Sequence, residues 1–341
     1  MKPCLHSARL LAAHSHRPYS FTQQHGARSK AARSSCLSLT AHARKGLQEL
    51  LTLRKPEQDN ILLKQGNVSR RLPVPDSIAR PSYVQLQESP WGDDYQIHNT
   101  KEARDKMRAA CRLAAEILQM AGGLVKPGVT TDFIDRKVHE MAVANGAYPS
   151  PLGYGGFPKS VCTSVNECLC HGIPDSRELR DGDTINIDVT VYLNGYHGDT
   201  SSMFRVGNVS EADWNLCTVT EAARDAAITA CGPGVPINRI GQVIQEFADK
   251  HKYGCVKEMV GHGVGTVFHC APPIFHTRNR EPGTMQPWQT FTIEPIFTAG
   301  APRHRTWKDH WTMVTKDGQR AAQYEHTILI TDKGHEILTK L

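Results

Sequence analysis

The sequence predicts an α+β fold made of two similar halves, each with a pair of helices beside antiparallel strands. Helix-like patterns come in two pairs, and strand-like runs lie between and after these pairs. The opening of the second helix of each pair also recurs at an offset of 106 residues. At 341 residues, the chain is long enough for one large domain or two medium ones with a substantial core.

The basic excess of the chain lies in its first 48 residues. The net charge is +6, yet residues 1–48 carry eight Lys and Arg and no acid, which leaves 32 basic and 34 acidic residues beyond them. A leader rich in Ser, Ala, Arg and His and lacking acids is typical of a mitochondrial transit peptide. A disordered basic tail that contacts RNA or the ribosome surface is the alternative. Because the remainder is net negative, we expect it not to bind nucleic acid.

Residues 49–98 are expected to be a linker or N-terminal extension, since prolines punctuate them and no helical or strand period persists. The folded body is therefore placed at residues 99–341. No stretch of the sequence approaches the roughly 18–20 apolar residues that a membrane-spanning helix needs.

The first predicted helix covers Lys101–Met120, where apolar residues recur on one face, and Gly122-Gly123 is expected to end it. The second covers about Thr131–Ala144. A third begins with an N-cap and an acidic first turn at Ser210 and runs to about Cys231. A fourth repeats the second, and the matched residues are Pro127-Gly128-Val129 with Pro233-Gly234-Val235, Ile134 with Ile240, Val138 with Ile244, Glu140 with Glu246 and Met141 with Phe247.

Strands are predicted over residues 184–193, 196–205, 289–297 and 323–331. Between the first two, Asn194-Gly195 is a strong signal for a two-residue type I′ hairpin turn. Counting back from this turn places Asp199 opposite Thr190, with Asp188 on the same face as Thr190. Asp188 and Asp199 are then diagonal neighbours about 7–8 Å apart, close enough to hold a cation between them.

Four acids lie in strand-like runs that should be buried: Asp188, Asp199, Glu294 and Glu325. Buried carboxylates are costly unless they are paired, and four that converge would repel one another. Divalent metal ions are the natural counter-charge. His262 and His269 lie in a glycine-rich segment and add imidazole nitrogen to this donor set.

Such a donor set suits two hard or borderline divalent ions, which together support hydrolysis of a peptide or a phosphate ester. The sequence lacks the H-E-x-x-H, G-x-S-x-G and Walker A motifs and a dinucleotide-binding fingerprint. Cys168 and Cys170 do not have the spacing of a structural zinc site, so we interpret them as strand residues.

Several segments together resemble the type I methionine aminopeptidases, and their mitochondrial form most of all. These segments are residues 148–205, GHGVGTVFH, FTIEPIF and AQYEHTILIT, and the resemblance covers about residues 99–341 in order and spacing. It implies the pita-bread fold, in which two pseudo-symmetric halves surround a central antiparallel sheet. It also implies five metal ligands, which are Asp188, Asp199, His262, Glu294 and Glu325.

The resemblance further implies roles for individual residues. Glu294 would accept the proton of the attacking water, His269 would hydrogen-bond the scissile carbonyl, and His171 would act near the scissile nitrogen. The methionine pocket would be lined by Tyr154, Phe157, Cys162, Phe268 and Trp311. Phe157 stands where bacterial members often have Tyr, and Pro151 where they often have Cys, so the fine shape of the pocket is open.

The resemblance implies a metal-dependent enzyme that removes initiator methionine from nascent proteins and peptides when the second residue is small and uncharged. Its cofactors would be two divalent ions drawn from Co, Mn, Fe or Zn. We expect a monomer in the mitochondrial matrix. An aminopeptidase for Xaa-Pro bonds, or a non-catalytic binding protein on the same scaffold, are the alternatives.

Overall fold

The computed structural model describes residues 62–86 and 88–341. The proposed transit peptide and the first part of the expected linker therefore lie outside the described residues. Residues 62–341 belong to one compact unit. The domain boundaries after residues 48 and 98 stay a prediction.

The first three predicted helices begin where the sequence predicts, whereas the short helix Tyr83–Leu86 was not predicted. These three carry a Thr or Ser N-cap (Thr100, Thr130 and Ser210) whose hydroxyl accepts a hydrogen bond from the backbone N–H three residues on. The five α-helices of the described residues are α1 (Tyr83–Leu86), α2 (Lys101–Gly123), α3 (Thr131–Ala144), α4 (Glu211–Thr229) and α5 (Arg239–His251). The predicted second helix is confirmed to the residue, and the predicted third is confirmed except for its last turn.

The first predicted helix is confirmed and ends within the expected glycine pair, three residues beyond Met120. Helix α2 continues through Gly122 and ends at Gly123, with Leu124 as its C-cap. A Cβ atom on Gly122 would lie 2.1 Å from the ring of Phe204, so this glycine allows the helix to pack tightly on a strand rather than ending it. Gly122 is thus a packing requirement that local sequence cannot distinguish from a helix stop.

The strands form one large sheet and two small ones. Within the described residues the large sheet has the order β1-β9-β8-β10-β15-β6-β5-β2, with β16 paired to β15 and β3 to β5, and the small sheets are β14-β11-β7 and β12-β13-β4. The strands are β1 (Trp91–Gly92), β2 (Tyr148–Pro149), β3 (Cys162–Val165), β4 (Cys168–Cys170), β5 (Thr184–Leu193), β6 (Tyr196–Arg205), β7 (Gly254–Cys255), β8 (Gly261–Gly263), β9 (His269–Ile274), β10 (Thr290–Ile293), β11 (Ile296–Thr298), β12 (His304–Thr306), β13 (Met313–Thr315), β14 (Ala321–Gln323), β15 (Glu325–Ile330) and β16 (His335–Ile337).

The predicted hairpin is confirmed in turn and register. Asn194 and Gly195 both have positive φ, 54° and 88°, as a type I′ turn requires. Thr190 pairs with Asp199, and Asp188 pairs with the residue two positions further along β6. The two aspartates are therefore diagonal neighbours on one face of the sheet.

The two later predicted strands are each divided. The run 289–297 forms β10 and β11, which break at Glu294-Pro295, because proline has no N–H for the ladder. The run 323–331 forms β14 and β15, which separate at Tyr324 and belong to different sheets. Each break lies beside one of the candidate acids, so the irregular backbone coincides with the candidate site.

Each half has its own apolar core. One core joins α2 and α3 to β5, and the other joins α4 and α5 to β10 and β15. The repeated positions agree with this symmetry, because Ile134 and Val138 in one core and Ile240 and Ile244 in the other are all 0% exposed. The α+β fold of two similar halves is confirmed.

Two smaller predictions concern membranes and thiols. None of the described helices combines the length and apolarity needed to cross a bilayer. Cys168 and Cys170 lie on β4, as interpreted from the sequence, and the eight cysteines of the described residues are buried thiols.

Candidate metal centre

Five adjacent strands of the large sheet each bring one candidate ligand to the same place. In sheet order, β8 carries His262, β10 ends directly before Glu294, β15 begins with Glu325, β6 carries Asp199 and β5 carries Asp188. The residues are far apart in sequence, and the sheet brings them together across the join of the two halves. This convergence is the central feature of the site.

The shortest distances centre on His262. Asp199, His262 and Glu325 each offer one ligand atom within 4.8 Å of the others, and all three side chains are buried. His262 Nε2 is 3.7 Å from Asp199 Oδ2 and 3.5 Å from Glu294 Oε1. Asp188 joins this group as the diagonal neighbour of Asp199.

The electrostatics of the cluster favour a cation. Burial, and then the charge of Asp199, raises the pKa of Asp188, while burial raises the pKa of Asp199 to about 7. Burial and the neighbouring carboxylates likewise raise the pKa values of Glu294 and Glu325. Carboxylate oxygens that repel each other beside an imidazole nitrogen are the donors that divalent ions prefer, so these residues fit such a metal.

Hydrogen bonds from neighbouring side chains orient the ligands. Thr292 Oγ1 donates to Glu294 Oε1 (2.7 Å) and accepts from the backbone N–H of His262 (3.0 Å). Thr190 Oγ1 donates to Asp199 Oδ1 (2.7 Å), and Gln323 Nε2 donates to Glu294 Oε2 (3.2 Å). Fixing ligand orientation in this way is how surrounding residues tune a metal site.

Sequence reasoning missed most of these supporting residues. A signal existed for Thr190, which the hairpin register places opposite Asp199. His276 Nε2 accepts a hydrogen bond from the Glu294 N–H at 3.1 Å, a contact that no local pattern indicates.

The two candidate substrate-contacting histidines lie beside the cluster. The His269 ring centroid is 4.2 Å from that of His262, and burial lowers the pKa of His269 well below its ordinary value. Its Nδ1 is buried and has no hydrogen-bond partner within the described part of the chain, as is common for functional rather than structural polar groups. Burial lowers the pKa of His171 to about 4, and its ring meets the Trp311 indole edge-on at 5.9 Å.

Aromatic side chains form a wall next to these histidines. Tyr154 meets Phe268 at 4.9 Å between ring centroids and His269 at 4.8 Å, and Phe157 meets Trp311 at 5.2 Å. Cys162 is buried on β3, and its Cα pairs with that of Asp188. The structure therefore places all five residues of the expected methionine pocket around the histidines and the acid cluster.

The folded body matches a known family of peptidases. Residues 105–332 match the model of metallopeptidase family M24. All five candidate ligands and both candidate substrate-contacting histidines lie within the matched residues.

Curated relatives and solved structures agree with this match. The chain is 58% identical to methionine aminopeptidase 1D, chloroplastic/mitochondrial, of Arabidopsis thaliana, over 86% of each chain. It is 50% identical to methionine aminopeptidase 1D, mitochondrial, of Homo sapiens, over 84% of this chain and 86% of the relative. It superposes on the crystal structure of methionine aminopeptidase from Rickettsia prowazekii with a TM-score of 0.71 and 44% identity, covering 72% of this chain and 100% of that one.

Proposed function

The chain belongs to the methionine aminopeptidases of metallopeptidase family M24, and from this we infer that it removes N-terminal methionine from peptides and newly made proteins. The pita-bread fold of that family agrees with the two halves and the large sheet described above. The observation that carries the proposal is the convergence of one metal-binding side chain from each of five adjacent strands.

We propose that Asp188, Asp199, His262, Glu294 and Glu325 hold two divalent metal ions. Four carboxylates and one imidazole exceed what a single ion needs, and they leave Mn, Fe, Co and Zn as candidates. Bound there, the ions would lower the pKa of a water molecule and stabilise negative charge at the scissile carbonyl.

The side chains of this protein would position the reactants and move the protons. Glu294 would accept a proton from the attacking water, with its two oxygens oriented by Thr292 and Gln323. His269 would donate a hydrogen bond to the developing oxyanion, and His171 would interact near the scissile nitrogen. Both imidazoles are kept neutral by burial, so each can act as donor at one nitrogen without adding positive charge.

The methionine side chain would occupy the pocket lined by Tyr154, Phe157, Cys162, Phe268 and Trp311. Aromatic rings and a thiol are apolar and polarizable, which suits a thioether. A narrow pocket entrance would also explain the preference for a small second residue, because bulk at that position would clash.

The test is release of methionine from Met-Ala-Ser by metal-reconstituted protein and by the variants Asp188→Asn and Glu325→Gln. We expect metal-dependent release from the wild type and a loss of at least a hundredfold in each variant. Activity that persists in the metal-stripped wild type would disprove the metal mechanism. Repeating the assay with Mn, Fe, Co and Zn, with metal content measured, addresses the identity and number of the ions.

The same assay addresses the alternatives. An aminopeptidase for Xaa-Pro bonds would prefer Ala-Pro-Ala to Met-Ala-Ser. A non-catalytic binding protein on this scaffold would hold less than about one ion per chain after reconstitution. All five ligand positions are filled by metal-binding side chains, which favours the enzyme.

We propose that the protein acts as a monomer in the mitochondrial matrix, without binding nucleic acid through its catalytic body. The acid-free basic leader supports mitochondrial import, and the relatives from Arabidopsis thaliana and Homo sapiens are named as mitochondrial or chloroplastic/mitochondrial. Fusing residues 1–50 to a fluorescent reporter tests mitochondrial import, and a diffuse cytosolic signal would contradict it. Light scattering of the purified protein tests the oligomeric state.

A further inference from the structure

A short stretch before the catalytic body packs against the aromatic wall of the candidate pocket. We call residues 83–86 and 88–90 the Tyr83 segment. The Tyr83 ring is 4% exposed, meets Tyr154 edge-on at 5.0 Å between ring centroids and lies 6.4 Å from the centroid of Phe268. These three residues form one buried cluster, against which Trp311 packs.

The backbone of the same segment holds the loop that carries Tyr154. Gly155 N–H donates to the carbonyl of Glu88 at 2.7 Å, and Tyr154 Oη donates to the carbonyl of Pro90 at 3.0 Å. A Cβ built on Gly155, whose φ is +52°, would lie 3.1 Å from the Trp311 ring and 3.2 Å from the Cβ of Ser89. The loop at Gly155 is therefore packed between Ser89 of the Tyr83 segment and Trp311 of the pocket wall.

The Tyr83 hydroxyl is engaged elsewhere. It donates to the carbonyl of Ser150 at 2.7 Å, so the contacts with Tyr154 and Phe268 are made by the ring. The family match begins at residue 105, so Tyr83 lies outside the segment that carries the proposed ligands.

We propose that Tyr83 is a positioning residue for the methionine pocket, bracing Tyr154 and Phe268 so that the pocket keeps the width of a methionine side chain. This inference rests on the proposed function. An apolar pocket distinguishes side chains that differ by one methylene by about tenfold to 200-fold, so a small movement of its wall changes selectivity. The bracing element is the ring of Tyr83, since the ring makes the contacts with Tyr154 and Phe268.

The experiment compares full-length, metal-reconstituted wild type with Tyr83→Leu, Tyr83→Phe and Leu86→Ala on Met-Ala-Ser and Leu-Ala-Ser. For Tyr83→Leu we expect KM for Met-Ala-Ser to rise at least fivefold with kcat within twofold, and the preference for Met over Leu to fall at least fivefold. Tyr83→Phe keeps the ring and should stay within twofold of wild type. Leu86 lies on the same helix with 64% of its surface exposed, so Leu86→Ala is the matched control and should be unchanged.

A folded Tyr83→Leu protein with wild-type KM and Met/Leu preference would overturn the proposal, and so would a fall in kcat alone. Should Tyr83→Leu not fold, Tyr83→His, with a smaller ring, takes its place and should raise KM at least twofold; no rise would overturn the proposal. If the wild type releases no methionine, the proposed function fails instead. In that event, calorimetric titration with free L-methionine still tests whether Tyr83 braces the pocket. Tyr83→Leu should weaken methionine binding at least fivefold, and unchanged binding would overturn the proposal.

Discussion

The Thr292 hydroxyl donates to the carboxylate of Glu294 and accepts from the backbone N–H of His262. We expect Thr292→Val, which keeps the side-chain shape, to lower kcat about tenfold, because a hydrogen bond to a charged group contributes about 1.5–3 kcal/mol. KM should change less than threefold, and bound metal should remain at the wild-type level. Steady-state kinetics on Met-Ala-Ser together with metal analysis provide the measurement.

The control for this variant is Thr298→Val, a buried threonine on β11 whose hydroxyl donates to the carbonyl of Gly300 instead. It should lose stability without losing kcat. Equal kcat in Thr292→Val and wild type would mean that the hydroxyl does not orient Glu294.

Thr292 also shows where sequence reasoning about the site stops. Acids in strand-like runs can be recognised because burying a carboxylate is costly and unusual. A buried threonine in a strand is ordinary, so its position two residues before Glu294 carries little signal by itself. The roles of His171 and the pocket residues came from family resemblance, since an isolated histidine or aromatic residue has no distinctive pattern.

A second residue-scale prediction concerns acid stability. Burial, aided by the charge of Arg104, lowers the pKa of His98 from 6.5 to about 4, and its Nε2 shares a hydrogen bond with Thr290 Oγ1. Between pH 6.5 and 4 the unfolded chain binds a proton at His98 that the folded protein does not. Stability contributed by the neutral imidazole is therefore complete above pH 6.5 and is lost as the pH falls toward 4.

We expect His98→Gln to lose less unfolding free energy than wild type between pH 7 and 4.5, measured by urea denaturation at each pH. His310→Gln, at an exposed position in the turn between β12 and β13, is the control and should follow the wild-type pH dependence. If the unfolding free energies of His98→Gln and wild type depend on pH in the same way, His98 is not the source of the predicted loss.

At the scale of elements, the β5–β6 turn sets the spacing of Asp188 and Asp199. Gly195 has φ +88°, and a Cβ there would meet no atom within 4 Å, so the cost of Gly195→Ala is conformational rather than steric. We expect this variant to lower the free energy of unfolding by about 1–2 kcal/mol. Chemical denaturation measures the change.

Gly123→Ala is the matched control, since that glycine ends α2 with ordinary φ and also has no atom within 4 Å of a built Cβ. Alanine is the better helix former, so this variant should gain up to about 1 kcal/mol. The prediction fails if the two variants shift stability in the same direction.

Elements set by local chemistry could be predicted from the sequence, and those set by distant contacts could not. The N-capped helix starts and the Asn194-Gly195 turn depend on neighbouring residues. Helix α2 passes through Gly122 because of Phe204, more than eighty residues away. The pairing of Thr200 with His326, which joins β6 to β15 and so brings the acids of both halves together, has no local signature at all.

At the scale of the whole molecule, one buried cation connects three separate parts of the chain. Lys159 Nζ lies 2.6 Å from Ser69 Oγ in the N-terminal extension, 2.5 Å from Asp132 Oδ1 and 3.5 Å from Asp135 Oδ2 on α3. Its side chain is 1% exposed, and it lies two residues after Phe157 of the proposed pocket. The N-terminal extension, helix α3 and the loop of the proposed pocket thus meet at this ammonium group.

Lys159→Met should therefore destabilise the molecule strongly, since it leaves two acids without their buried cation. We expect the free energy of unfolding to fall by about 3–5 kcal/mol, the usual effect of removing one partner from a buried ion pair. The matched control is Lys137→Met on the same helix as the two acids, whose pair with Glu140 is exposed and whose loss should cost no more than about 0.5 kcal/mol. Similar losses in the two variants would show that Lys159 contributes no more to stability than an exposed lysine does. The attachment of the extension to the body would then depend on other contacts.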